Sequence, residues 1–247
     1  MKRDVLIVED FYSDPEAIVR YALGLEYVFP YSQPDTASAL APIGWRASRY
    51  KSAHACPFKS SSHVITCLEA LTGDTIDLES WRLEFPVDEH GYPARNHRAV
   101  VHKSAWWNCC FHVKHDVNQQ LGDGVHSHTD EDSWNPVGLD GWAGLVYLNN
   151  DPPDHQAGLR TWENRDPRQQ FDWMTTRENW VLRDTLANVY NRLILHRGRI
   201  PHSGTNGWGD SLLTGRLYQT FFFRIKNRPE RPSLTWDDLQ LAPPCNR

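Results

Sequence analysis

The sequence predicts a mainly β chain, an antiparallel sandwich or jelly roll with its helices gathered near the N-terminus and packed on one sheet. Three observations carry that expectation. From residue 98 onward, segments rich in aromatic and branched residues alternate with turn formers. Helix start and stop signals fall within the first third of the chain. At 247 residues the length suits one large domain, and no repeat, low-complexity stretch or Pro/Gly-rich linker divides it, so residues 1–247 are expected to form a single domain.

Taken in order, Val5-Leu6-Ile7-Val8 reads as a short buried strand. Ser13-Asp14-Pro15-Glu16 then opens a helix, with Ser or Asp as cap, proline in the first turn and an acid near the positive dipole end. That helix runs to about Leu23, before Gly24. A second helix extends from the Ser60-Ser61-Ser62 cluster to Thr72 and is closed by Gly73. The expected strands are Ala99 to Val113, Trp142 to Asn149, Leu159 to Trp162, Val189 to Leu195 and Leu212 to Ile225. Arg165 to Trp180 is charged and reads as a short helix or a lid.

Composition excludes several classes. Charged residues make up 23% and the formal net charge is -5, so there is no broad basic face for nucleic acid or an anionic membrane. A small molecule or peptide is the expected partner. The apolar stretch near the start is interrupted by Glu9 and Asp10 and cannot act as a signal-peptide core, and no run approaches the roughly 20 apolar residues of a membrane span. A soluble, cytoplasmic protein is expected. Five cysteines, Cys56, Cys67, Cys109, Cys110 and Cys245, contain no CxxC pair and point to reduced thiols, with no disulfide framework and no thiolate zinc site. The 12 histidines direct attention to metal ligation.

His126-Ser127-His128-Thr129-Asp130 lies in a polar, glycine-flanked loop. Residues two apart on an extended chain point the same way, so His128 and Asp130 can face one metal ion. His202 follows the apolar strand Arg192-Leu193-Ile194-Leu195 and is the candidate third ligand. Two histidines and a carboxylate on one face of an octahedron leave three open positions, as non-heme iron(II) oxygenases require. HxD alone recurs by chance. What raises it is the order that follows: a strand ending Tyr147-Leu148-Asn149, a distal histidine after an apolar strand, and an arginine on the next strand.

In that order the chain resembles the iron(II)/2-oxoglutarate-dependent dioxygenase superfamily, particularly its prolyl-hydroxylase-like branch. The likeness is carried by Gly144-Leu145-Val146-Tyr147-Leu148-Asn149, the turn Ala157-Gly158-Leu159-Arg160, Asn191 to Leu195, His202, Arg216 to Phe222 and the opening Glu9 to Glu16. It covers roughly residues 5–23 and 99–226, and departs in the long loop from Asp130 to Tyr147. It implies a double-stranded β-helix core, Fe(II) held by His128, Asp130 and His202, and 2-oxoglutarate as co-substrate with O2. The implied reaction is hydroxylation of an unactivated C–H bond. Since Asp130 supplies a carboxylate where related halogenases lack one, halogenation is disfavoured.

The resemblance further suggests a basic residue gripping the distal carboxylate of 2-oxoglutarate. Arg216 fits, because its planar guanidinium offers two parallel donors; Arg192 and Arg224 are the substitutes. Tyr147, on the face of Leu145, can reach the same carboxylate. Asn108 alternates with Trp106, Cys110 and His112, opposite Trp107, Cys109 and Phe111; either face can line a cavity, which leaves Asn108 a candidate pocket residue. A competing scheme joins His126, His128 and His202 as in cupin-type metal enzymes, although the glutamate such enzymes want is not at the usual spacing. A non-catalytic jelly-roll binding module is the remaining alternative. His112, His115, His155 and His196 have no ligand-like spacing. Finally, Asp123, Asp130, Glu131, Asp132 and Asp140 gather in one loop without Lys or Arg, which suits a cationic substrate.

Overall fold

The computed structural model describes residues 4–28, 49–52, 57–84, 89, 104–115, 125–128, 137–166 and 177–226. Within them the chain forms β1 (Val5–Val8), α1 (Pro15–Leu23), β2 (Tyr27–Val28), β3 (Arg49–Ser52), α2 (Ser62–Thr72), α3 (Leu78–Trp81), α4 (Ser104–Trp107), β4 (Phe111–Lys114), β5 (Trp142–Tyr147), β6 (Leu159–Asn164), β7 (Trp180–Leu186), β8 (Leu193–Arg197), β9 (His202–Gly204) and β10 (Arg216–Phe223). The strands pair antiparallel throughout, in a larger sheet ordered β1-β8-β5-β10-β4-β3-β2 and a smaller one ordered β7-β6-β9. This mainly β, two-sheet arrangement is jelly-roll-like.

Helix boundaries follow the local chemistry. Asp14 accepts the Ala17 N–H at 2.9 Å, Pro15 occupies the first turn and Gly24 ends α1. Ser61 caps α2 through the Val64 N–H, and Gly73, at φ 69°, closes it in the left-handed conformation. Both apolar helix faces pack on one side of the larger sheet. Ala22, Val64, Ile65 and Leu68 meet Phe111, Val113, Trp142, Val146, Leu217, Phe221 and Phe223 in the main core.

Strand β10 shows the consequence of a period of two. Leu217, Phe221 and Phe223 enter the helix-side core, whereas Tyr218 joins Leu145, Tyr147, Leu159 and Ile194 on the opposite face. The smaller sheet supplies Leu159 and the half-buried Leu186, so this second cluster lies between the sheets. Gly144 lets β5 and β8 close on one another: a Cβ there would stand 2.0 Å from the Ile194 carbonyl oxygen.

Several expectations change. Ala99 to Val113 is not one strand: Ser104–Trp107 is a helical turn and pairing begins only at Phe111, residues 99–103 lying outside the described set. Its aromatic and branched residues suggest a strand, but Cys109 takes φ 60°, which breaks extended geometry. Trp180, placed at the end of a helix or lid by its charged neighbours, instead starts β7, and Arg177–Asn179 before it is a single 3-10 turn. Residues 167–176 of that segment lie outside the described set. Strands β2 and β3 fall where the sequence offered no element. No described helix is long and apolar enough to cross a membrane.

A buried ion pair ties the α2 side to the sheet that carries the site. Arg197 Nη2 meets Asp74 Oδ2 at 2.8 Å, the side chains being 8% and 17% exposed. The Trp142 indole donates to the same carboxylate at 3.0 Å, and the Arg197 guanidinium stacks 3.9 Å over the Trp142 ring. Removing one member of such a pair leaves a buried charge uncompensated. Asp74→Ala is expected to cost about 3 kcal/mol or more, lowering the thermal midpoint by roughly 6–12 °C; a calorimetric melt unchanged from the parent would mean the network contributes nothing.

Candidate functional site

The site begins with backbone pairing. After β8 the chain turns through Gly198 to Pro201 and returns as β9, which opens with His202. His126 bridges to His202 antiparallel, each N–H donating to the other's carbonyl at 2.9 Å. The His128 N–H donates to Gly198 O at 2.7 Å. Directly opposed residues of such a pair point to one side, as do residues two apart on an extended segment. The imidazoles of His126, His128 and His202 therefore gather, one ligand nitrogen from each lying within 4.8 Å of the others.

Hydrogen bonding sets which nitrogen is available. His202 Nδ1 stands 2.9 Å from Ile200 O, and since a carbonyl only accepts, Nδ1 carries the proton and Nε2 presents its lone pair. His128 Nε2 is buried without a hydrogen bond among the described residues. Burial, and then the charges of neighbouring histidines, hold the pKa of both His128 and His202 well below the ordinary value. They are neutral near pH 7, the form that ligates metals.

Of the residues expected to bind the metal, His128 and His202 are brought together, and Asp130 lies outside the described residues. His126, the third member of the competing scheme, is present in the cluster. His196, set aside for want of ligand-like spacing, is also here. It is buried on β8, its ring centroid is 4.0 Å from that of His202, and burial lowers its pKa to about 4. The available sequence signal was its place at the end of the apolar strand leading to His202.

A second polar group occupies the same inter-sheet face. Arg216, 2% exposed, donates from Nη1 to Thr205 O at 3.0 Å, Thr205 Oγ1 at 3.2 Å and Asn206 O at 3.2 Å, and from Nη2 to Gly158 O at 3.4 Å. Its Nε has no hydrogen bond, and no described carboxylate pairs with it. Lys114, 1% exposed, is its cross-strand partner and donates from Nζ to the same Thr205 O at 2.6 Å. Sequence reasoning passed over Lys114, because a lysine at a strand end normally faces water; only the pairing with Arg216 places it here. Two cations sharing one carbonyl repel at low dielectric, and an anion placed between them relieves that repulsion.

Tyr147 completes this pole. The Arg216 guanidinium carbon lies 5.4 Å from its ring centroid, and its buried hydroxyl lacks a partner at hydrogen-bond geometry among the described residues. Burial pushes its pKa up to about 12 against the opposing pull of Arg216, so the hydroxyl stays a donor. Arg192 is elsewhere, ion-paired with Glu9 at the surface, and Arg224 lies past the far end of β10. Asn108 is not brought to this face. Its amide donates to Trp81 O at 3.1 Å and accepts the Phe222 N–H at 2.8 Å, joining α3 to β10 on the helix side. In the acidic loop, Asp140 is neutralised by Arg199 at 2.7 Å; Asp123, Asp130, Glu131 and Asp132 lie outside the described residues.

No protein-family model and no curated protein sequence matches the chain. Solved structures similar to it include three with identities of 10–12%. HygX from Streptomyces hygroscopicus, solved with nickel, 2-oxoglutarate and hygromycin B, is 10% identical with a TM-score of 0.44, covering 90% of this chain and 83% of that one. The carbocyclase SnoK from nogalamycin biosynthesis is 11% identical with a TM-score of 0.43, covering 98% and 88%. A Pseudomonas putida prolyl-4-hydroxylase is 12% identical with a TM-score of 0.36, covering 91% and 94%. Similarity at this level leaves function to the geometry of the site.

The histidine cluster predicts a divalent metal site. His128→Ala and His202→Ala are each expected to reduce cobalt(II) bound in equilibrium dialysis from one per chain to a small fraction. Full binding by both variants would remove the cluster as a metal site.

Proposed function

We propose that the protein is a single-domain, cytoplasmic non-heme iron(II), 2-oxoglutarate-dependent oxygenase on a double-stranded β-helix core. It hydroxylates an unactivated C–H bond of a small molecule, amino acid or peptide. The observation that carries this reading is the pairing of two neutral imidazoles, His128 and His202, close enough to share one ion, with a buried Arg216 on the inter-sheet face of β10 that no described carboxylate neutralises. A metal with open positions beside a buried cationic pole suits a co-substrate that is a chelating 2-oxo acid at one end and a carboxylate at the other.

In this reading His128, Asp130 and His202 hold the iron, which when bound supplies the oxidising chemistry with O2 and 2-oxoglutarate, releasing succinate and CO2. The chain's own residues do the rest. Arg216 and Lys114 grip the distal carboxylate, and the Tyr147 hydroxyl donates to it. Leu145, Leu159 and Ile194 exclude water from the space between the sheets, which strengthens each of those contacts. The Ile200 carbonyl fixes the tautomer of His202.

A second reading is favoured by one observation, the presence of His126 within the same 4.8 Å group. There the ligands are His126, His128 and His202, as in cupin-type metal enzymes. Parallel dialysis of Asp130→Ala and His126→Ala separates the two. The expected outcome is loss of iron(II) in Asp130→Ala and near-parental binding in His126→Ala; the reverse pattern replaces the first scheme with the second.

The co-substrate reading is tested at the other pole. Losing a charge-assisted pair costs about 1.5–3 kcal/mol, or roughly tenfold to a hundredfold in affinity. Arg216→Met and Lys114→Met are expected to weaken anaerobic calorimetric binding of 2-oxoglutarate by that factor, with iron stoichiometry kept. Binding of 2-oxobutyrate, which lacks the distal carboxylate, should change little. Equal losses for both acids would point to general damage.

A further inference from the structure

The inner face of the smaller sheet carries two polar side chains, Thr161 and Asp184, that the proposed reaction does not use. Thr161 on β6 is opposite Asp184 on β7 and, on its other side, opposite His202 on β9, which in turn faces His126. Opposed residues point to the same side, so Asp184, Thr161, His202 and His126 form one transverse line. The Thr161 hydroxyl donates to Asp184 Oδ2 at 2.9 Å, which confirms that the two side chains share a face. That face is the inner one: Leu186 and Leu159, two positions along from Asp184 and Thr161, pack into the cluster between the sheets.

Charge distinguishes Asp184 from its neighbours. The smaller sheet bears two carboxylates, on Glu163 and Asp184. Glu163 is paired with Arg183 at 2.6 Å, both side chains being exposed. Asp184, exposed and on the same line as His202, has no ion pair among the described residues; its one contact there is the Thr161 hydroxyl, which orients it without neutralising it. Strands lie about 4.8 Å apart, so the carboxylate stands about 10 Å from the His202 position across two strand spacings. That is the reach of a small molecule with its reacting carbon at the metal and a charged group at its far end.

We propose that Asp184, oriented by Thr161, is the substrate-recognition residue of this site and that it selects substrates carrying an ammonium or guanidinium group. An oriented carboxylate in line with the histidine cluster attracts such a cation and sets the direction in which the rest of the molecule lies. The inference rests on the oxygenase reading above, but assigns a residue and a substrate class that the reading leaves open. It also places cation recognition on β7, away from the acidic loop to which the sequence had pointed.

The test uses the full chain with iron(II) and 2-oxoglutarate, and matched pairs of probes: L-arginine with L-citrulline, L-lysine with Nε-acetyl-L-lysine, and agmatine and spermidine with their N-acetylated forms. Succinate release is measured for each. Cationic members are expected to stimulate release and their neutral partners not. For the best cation, Asp184→Asn should raise KM at least tenfold while kcat stays within about twofold of the parent. Asp184→Glu should recover part of the loss, and Thr161→Val should raise KM in the same direction by less. The inference is overturned if only neutral or anionic probes act, if no cation acts, or if Asp184→Asn leaves KM unchanged. An unstable Asp184→Asn shifts the decision to Asp184→Glu and Thr161→Val, whose unaltered KM overturns it equally. Anaerobic calorimetry of the parent with 2-oxoglutarate separates the two failures: binding of the co-substrate without cation selectivity sinks the role of Asp184 alone, and no binding sinks the oxygenase reading with it.

Discussion

The pair of backbone hydrogen bonds between His126 and His202 is the constraint on which the site depends. Each N–H finds the other's carbonyl at 2.9 Å, and the His128 N–H is taken up by Gly198. These bonds attach an otherwise irregular loop segment to the edge of the smaller sheet. Once attached, the segment has no freedom over where its side chains point, because pairing fixes facing. A shift of one residue would turn His126 and His128 away from His202 and leave no cluster. Backbone pairing thus aims the imidazoles, and the Ile200 carbonyl then determines which nitrogen of His202 is presented.

The larger sheet serves two environments through one alternation. Its helix-side face is apolar, closed by Trp81, Phe111, Phe221 and Phe223, and hydrogen-bonded polar groups such as Asn108 lock the helices to it. Its other face carries Tyr147, Lys114, Arg216 and His196, all buried. Burying the Arg216 guanidinium on carbonyl and hydroxyl acceptors, with no carboxylate among the described residues paired to it, is unfavourable for folding alone. Rigid anchors such as the Asp74–Arg197–Trp142 contact hold β8 and β5 in place around it.

Much of the local structure was legible in the residues. The caps Asp14 and Ser61, the closing Gly73, and the apolar runs of β1, β5, β8 and β10 each act over a few neighbours, and local chemistry is what a sequence states directly. The order of the chain placed His128 and His202 together, and alternation along β5 and β10 placed Tyr147 and Arg216 on one face. Strand β7 was not: its exposed residues Val181 to Asp184 show no apolar alternation, because one face meets solvent and a register shift opposite Thr161 and Trp162 interrupts the pattern. Nor was the fate of Asn108, since a positive φ at Cys109 has no signal in a non-glycine residue.

The sequence by itself therefore determined the mainly β character, the capped helices and the face of β10 that carries Arg216, because these are written in periods of two and 3.6 and in short-range hydrogen bonds. Tertiary structure alone decided which side chains meet. Lys114 shares a carbonyl with Arg216, His196 packs on His202, and Asp184 stands in line with Thr161 and the histidines only because strands distant in the chain are paired in a particular register. Register is a property of the whole sheet and its two cores, and no segment read alone contains it.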